Sequence, residues 1–145
     1  MDKVKLVLSE KPRESAGGGL AGERLAQTCR GNSIRMASHD DDSAEKVAAV
    51  SRLGVTLSEF PVNLEAARAA RRHGMLISLG SPNVLRGALL TGSLSGREAL
   101  TAGLGDILYS DFAPMSLLHA ALKLSREGIT DLPAIQSIRA PTAAV

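Results

Sequence analysis

The chain has 145 residues, enough for one domain with a real core and too few for two. Apolar residues make up 44% and aromatics only 2%, so Ala, Leu, Val and Ile must build that core. The 17 basic and 15 acidic residues leave a net charge of +2 with no Lys/Arg run. This excludes a basic nucleic-acid binder, and no apolar stretch nears the roughly 18 residues that span a bilayer.

Met1 to Leu8 alternates in part and reads as a helix start or a loose strand. The charges scattered over Met1 to Lys11 are not those of a cleavable leader, so the expected location is the cytoplasm. Residues 9–22 hold Pro12 and Gly17-Gly18-Gly19 and read as a connection, and residues 1–22 as a poorly defined segment. Leu20 to Cys29 reads as a short helix ended by Gly31-Asn32. Cys29 is the single cysteine, which excludes an internal disulfide and a cysteine-based zinc knuckle.

From Ser33 the pattern becomes regular. Ile34 to Ser38 is a first strand, and Asp42 or Ser43 caps a helix that Gly54 ends. Val55 to Phe60 is a second strand, and Asn63 caps a helix over Leu64 to His73 with Gly74 as its stop. Met75 to Leu79 is a third strand, followed by Gly80-Ser81-Pro82-Asn83 and a polar loop from Arg86 to Leu94. Ser95 to Glu98 matches a capping box. Ile107 to Ser110 is a fourth strand. Pro114 starts a helix to about Arg126, Gly128 lies beyond it, and Asp131 and Pro133 start a last helix toward Arg139. The tail, residues 140–145, is expected to fray. Strands alternating with helices at one βα unit each imply an α/β fold with a parallel sheet of about four βα units. Such a chain is at most half of an eight-stranded barrel, which needs about 250 residues.

Parallel strands place their C-terminal ends on one edge, where α/β folds carry their chemistry. The residues there are His39 with Asp40 and Asp41, then Glu59, then Asn83, then Asp111. His39 reads equally as a metal ligand or as part of a capping turn, whereas Asp41 and Asp42 read as capping residues favoured by the helix dipole. Glu59 is a site carboxylate or a solvated strand end, and Asn83 reads first as a turn residue. Asp111 binds metal, takes a proton from water or caps the next helix, and Arg86 meets phosphate or solvent. His73 and His119 read as helix residues and Cys29 as structural. There is no P-loop.

Four motifs in order carry a resemblance: Ala37-Ser38-His39-Asp40-Asp41, Ser58-Glu59-Phe60-Pro61, Gly80-Ser81-Pro82-Asn83-Val84-Leu85-Arg86-Gly87 and Ser110-Asp111-Phe112-Ala113-Pro114. Over about Leu25 to Leu124 the chain resembles the C-terminal half of the α-D-ribose 1-methylphosphonate 5-triphosphate diphosphatases. These belong to the amidohydrolase superfamily and act in the carbon–phosphorus lyase pathway. The resemblance implies a partial (β/α)8 TIM-type barrel over residues 23–139 and a metal-dependent hydrolase that releases pyrophosphate from a phosphorylated ribosyl phosphonate. It implies a divalent metal, zinc, held by His39 and Asp111, with Asp111 also catalytic and Glu59, Asn83 and Arg86 lining the substrate pocket.

The chain departs from that pattern in lacking the first-strand His-x-His pair, the earlier strands and the histidine of the loop over residues 89–96. It therefore reads as a fragment, inactive alone, that associates with itself or with a complementary barrel half. The alternatives are a catalytically inert half-barrel module acting through association, and a small open-sheet phosphate binder.

Overall fold

The computed structural model describes residues 6–8, 19–87, 94–110 and 113–130, and the chain divides into two compact units, Met1–Leu76 and Ile77–Val145. The helix expected from Asp131 to Arg139 and the tail lie outside the described residues. No helix among the described residues is long and apolar enough to cross a membrane.

In the first unit, β1 (Leu6–Leu8), β2 (Met36–His39) and β3 (Leu57–Glu59) run parallel in the order β1-β2-β3. The ambiguous N-terminal stretch is thus a strand, one βα unit more than the four expected. The register pairs Leu8 with Ser38, Ser38 with Ser58, and His39 with Glu59. The first expected strand, 34–38, is displaced toward the C-terminus, which makes His39 its last residue. The connecting helices are α1 (Gly19–Gly31), α2 (Ala44–Arg52) and α3 (Leu64–Arg72). Cys29 is buried on α1 and free, as its lack of a partner required.

One local design occurs twice, 20 residues apart. Each strand ends at a site residue, His39 or Glu59. The next residue, Asp40 (φ 53°) or Phe60 (φ 54°), turns into the left-handed region. Then a polar residue caps the helix. Ser43 Oγ accepts from Lys46 N at 3.3 Å, and Asn63 Oδ1 accepts from Ala66 N at 2.8 Å. Each helix is followed by a glycine at positive φ, Gly54 (90°) or Gly74 (69°), where a side chain would be strained. Val47 is the fully buried residue of α2. On α3 the buried face is Ala66, Ala67, Ala69 and Ala70.

In the second unit, β4 (Leu76–Gly80, all but its first residue) and β5 (Ile107–Tyr109) are parallel, pairing Ser78 with Ile107 and Gly80 with Tyr109. Asp106 brackets the start of this pair. Its backbone N–H donates to Ile77 O at 2.9 Å, and its Oδ2 accepts from Ile77 N at 2.8 Å. The stretch after β4, read as a turn, is instead helix α4 (Ser81–Arg86), because Pro82 lies in its first turn where no N–H is needed. α5 (Gly96–Thr101) follows. Its expected capping box is incomplete: Ser95 occupies the N-cap position but its side chain makes no cap bond. α6 (Met115–Arg126) begins after Pro114 and stops before Gly128 at φ 67°. Val84, Ala120 and Leu124 form the apolar cluster between α4 and α6. α5 comes so close to α4 that a Cβ on Gly96 would lie 2.7 Å from Val84 Cγ2, which only glycine permits.

Candidate active site

The candidate residues of the first unit come together. His39 and Glu59 are Cα partners at the C-terminal ends of β2 and β3, so alternation puts both side chains on one face. Glu59 is 8% exposed and the His39 side chain 29%. The edge of one ring meets the face of the other where His39 packs with Phe60, at 5.2 Å and 81°. His39 Nδ1 lies 3.0 Å from Asp40 Oδ2, outside the alignment of a hydrogen bond.

The two residues after His39 and Glu59 hold this edge in shape. Asp40 and Phe60 are both left-handed, a conformation that costs a non-glycine residue about 1–3 kcal/mol and recurs at functional sites. Asp40 N donates to Glu59 O at 3.0 Å, and Val62 N donates to Asp41 O at 2.9 Å. The turns that follow the two strands are therefore stitched to each other.

Asp41 and Asp42 do not cap α2; Ser43 does. The two aspartates also part company. Asp41 is fully buried, and its Oδ2 accepts from Ser38 Oγ at 2.6 Å and Ser58 Oγ at 2.5 Å. Its Oδ1 has Lys46 Nζ at 3.6 Å. Lys46 Nζ also donates to His39 O at 2.9 Å and Asp40 O at 2.8 Å. Asp42 is exposed and contributes its carbonyl, which accepts from Asn63 Nδ2 at 2.7 Å. A buried carboxylate survives only with such partners. Sequence reasoning missed Ser38, Ser58 and Lys46 as site-supporting residues. The available signal for the two serines was their place immediately before His39 and Glu59.

In the second unit, Asn83 lies inside α4 and uses both ends of its side chain. Nδ2 donates to Leu94 O at 3.0 Å, and Oδ1 accepts from Gly96 N at 3.4 Å. It thus ties α4 to the start of α5 across residues 88–93. Arg86 is the exposed last residue of α4. Arg97 Nη2 pairs with Glu127 Oε2 at 2.5 Å. Asp111 and most of the loop after Arg86 lie outside the described residues. His73 is the exposed C-cap of α3, and His119 is exposed on α6.

Among the described residues, no three His, Cys, Asp or Glu side chains converge to hold a metal ion. His39 and Asp40 present neighbouring donor atoms, but a catalytic zinc takes about three protein ligands. The described residues do not complete such a set. What they build is a histidine and a carboxylate on one strand edge, with a buried ionic knot behind them.

No family model matches the chain. A likeness of fold alone links it to the crystal structure of an uncharacterized protein, with a TM-score of 0.57 at 15% identity over 91% of this chain and 40% of that one. A structure described as native KDPGal aligns at a TM-score of 0.48 and 22% identity, over 70% of this chain and 47% of that one. The sequence likeness is much stronger. Over 103 residues the chain is 44% identical to the α-D-ribose 1-methylphosphonate 5-triphosphate diphosphatase of Escherichia coli (strain K12), a match to the C-terminal part of that protein that takes in 71% of this chain and 27% of the relative's length.

Proposed function

We propose that this chain carries part of the site of a diphosphatase that cleaves α-D-ribose 1-methylphosphonate 5-triphosphate into pyrophosphate and the 5-phosphate. The observation that supports it best is the pairing of His39 with Glu59 on one strand edge, in a chain of which 103 residues are 44% identical to a protein of that name. In the reaction water attacks phosphorus, the bridging P–O bond breaks, and pyrophosphate leaves with the bond electrons. The proton from water goes to a base. Glu59 faces the substrate side of the edge, and Asp111 is the proposed base. Arg86, an exposed cation at the end of α4, is suited to a phosphate oxygen. Asn83 is proposed to line the substrate pocket with Glu59 and Arg86.

We further propose a divalent metal, zinc by resemblance, with His39 and Asp111 among its ligands. The remaining donors would come from residues that this chain lacks, a His-x-His pair above all. The lone cysteine, buried and free, fits a reducing compartment, and we place the reaction in the cytoplasm. A second reading is an inert half-barrel module that acts through association.

The test is pyrophosphate release from the triphosphate together with bound-metal content, each measured with and without a chain that supplies the missing barrel half. Release from the pair, abolished by His39→Ala and by Asp111→Ala, is the expected result. No release from the pair, with both chains folded, favours the inert module. Full activity from this chain alone overturns the need for a partner.

A further inference from the structure

The knot centred on Asp41 lies on the opposite side of the strands from the His39–Glu59 pair. Side chains alternate along a strand, so Ser38 and Ser58, one residue before the pair and Cα partners themselves, point away from it. Both hydroxyls are fully buried and donate to the same oxygen, Asp41 Oδ2. One carboxylate therefore bridges β2 and β3 at the last register step before the site. Lys46, from α2, closes the arrangement by donating to the carbonyls of His39 and Asp40. The main chain adds two bonds, Asp40 N to Glu59 O and Val62 N to Asp41 O. An apolar residue at position 41 would fill the same space without a bond to either strand, so burial alone does not account for an acid there.

We propose that Asp41 is a positioning residue, whose carboxylate sets the relative position of His39 and Glu59 from the far face of the sheet by binding Ser38 and Ser58 at once. The catalytic meaning of that placement rests on the reading proposed above, whereas the coupling itself does not.

The experiment is amide hydrogen exchange and histidine side-chain NMR on the full chain, with Ser38→Ala, Ser58→Ala, Asp41→Asn and Ser78→Ala. The serine variants remove one hydroxyl each and spare the fold if Asp41→Asn does not. Ser78 is an equally buried strand serine whose hydroxyl has no hydrogen-bond partner, so Ser78→Ala is the control. Removing either hydroxyl is expected to speed exchange of the Asp40 and Val62 amides at least about tenfold, the lower end of the weight of one hydrogen bond to a charged acceptor, and to move the His39 ring signals. The Ala67 and Ala70 amides in the α3 core should keep their rates, and Ser78→Ala should alter none of these signals. Uniform acceleration across the first unit, or unchanged Asp40 exchange and His39 signals in folded Ser38→Ala and Ser58→Ala, overturns the proposal. Pyrophosphate assays judge the function and exchange judges the positioning, so either fails without the other.

Discussion

Asp41 and Asp42 are chemically identical neighbours with different fates. Asp41 is sealed between two strands and accepts two hydroxyls, while Asp42 faces solvent. Asp41→Ala takes the shared acceptor from two buried hydroxyls and the nearby carboxylate from Lys46, which keeps its two carbonyl acceptors, and is expected to cost about 3–5 kcal/mol, as does breaking a buried ion pair. Asp42→Ala is expected to stay within about 0.5 kcal/mol, like most surface changes. Urea denaturation of the two variants checks this, and similar costs for both would contradict the assigned roles. The sequence showed a histidine followed by three carboxylates and allowed either a metal corner or a capping turn. It did not separate the carboxylates, because their difference depends on Ser58, which is 17 residues from Asp41.

At the scale of elements, the helix stops were legible because each is a local event. Gly54, Gly74 and Gly128 all take positive φ where the sequence placed a stop, a conformation open to glycine without a Cβ clash. The N-caps were legible only in part. Asn63 accepts from Ala66 N and also donates to Asp42 O, whereas Ser95 makes no cap bond despite its matching pattern. Asn63→Ala should therefore destabilise by about 1–2 kcal/mol, the upper part of the range for lost N-caps. Ser95→Ala should change little, within about 0.5 kcal/mol. Thermal melts of the two variants test the contrast. The misread stretch after β4 has the same cause. Pro82 and Asn83 favour turns, yet a proline in the first turn is also compatible with a helix, and α4 forms because Val84 fits into the cluster with Ala120 and Leu124.

At the scale of the whole molecule, a chain with 2% aromatics must stabilise itself with small aliphatic groups, and each buried one carries a large share. Leu124 is fully buried and Leu118, on the same helix, is 56% exposed. Leu124→Ala is expected to cost about 2–5 kcal/mol through lost contacts and a residual cavity. Leu118→Ala should stay within about 0.5 kcal/mol, and chemical denaturation distinguishes the two. The sequence by itself determined the alternation of strands and helices, the parallel class, the glycine stops and, for His39 and Glu59, the residues at the strand ends. These follow from hydrophobic spacing and backbone preference, which act over a few neighbouring residues. Only the tertiary structure decided that β1 joins β2, that His39 stands beside Glu59, and that Asp41 is tied behind them rather than capping a helix. Those outcomes depend on register between strands far apart in the chain, and on which polar groups burial then forces to pair.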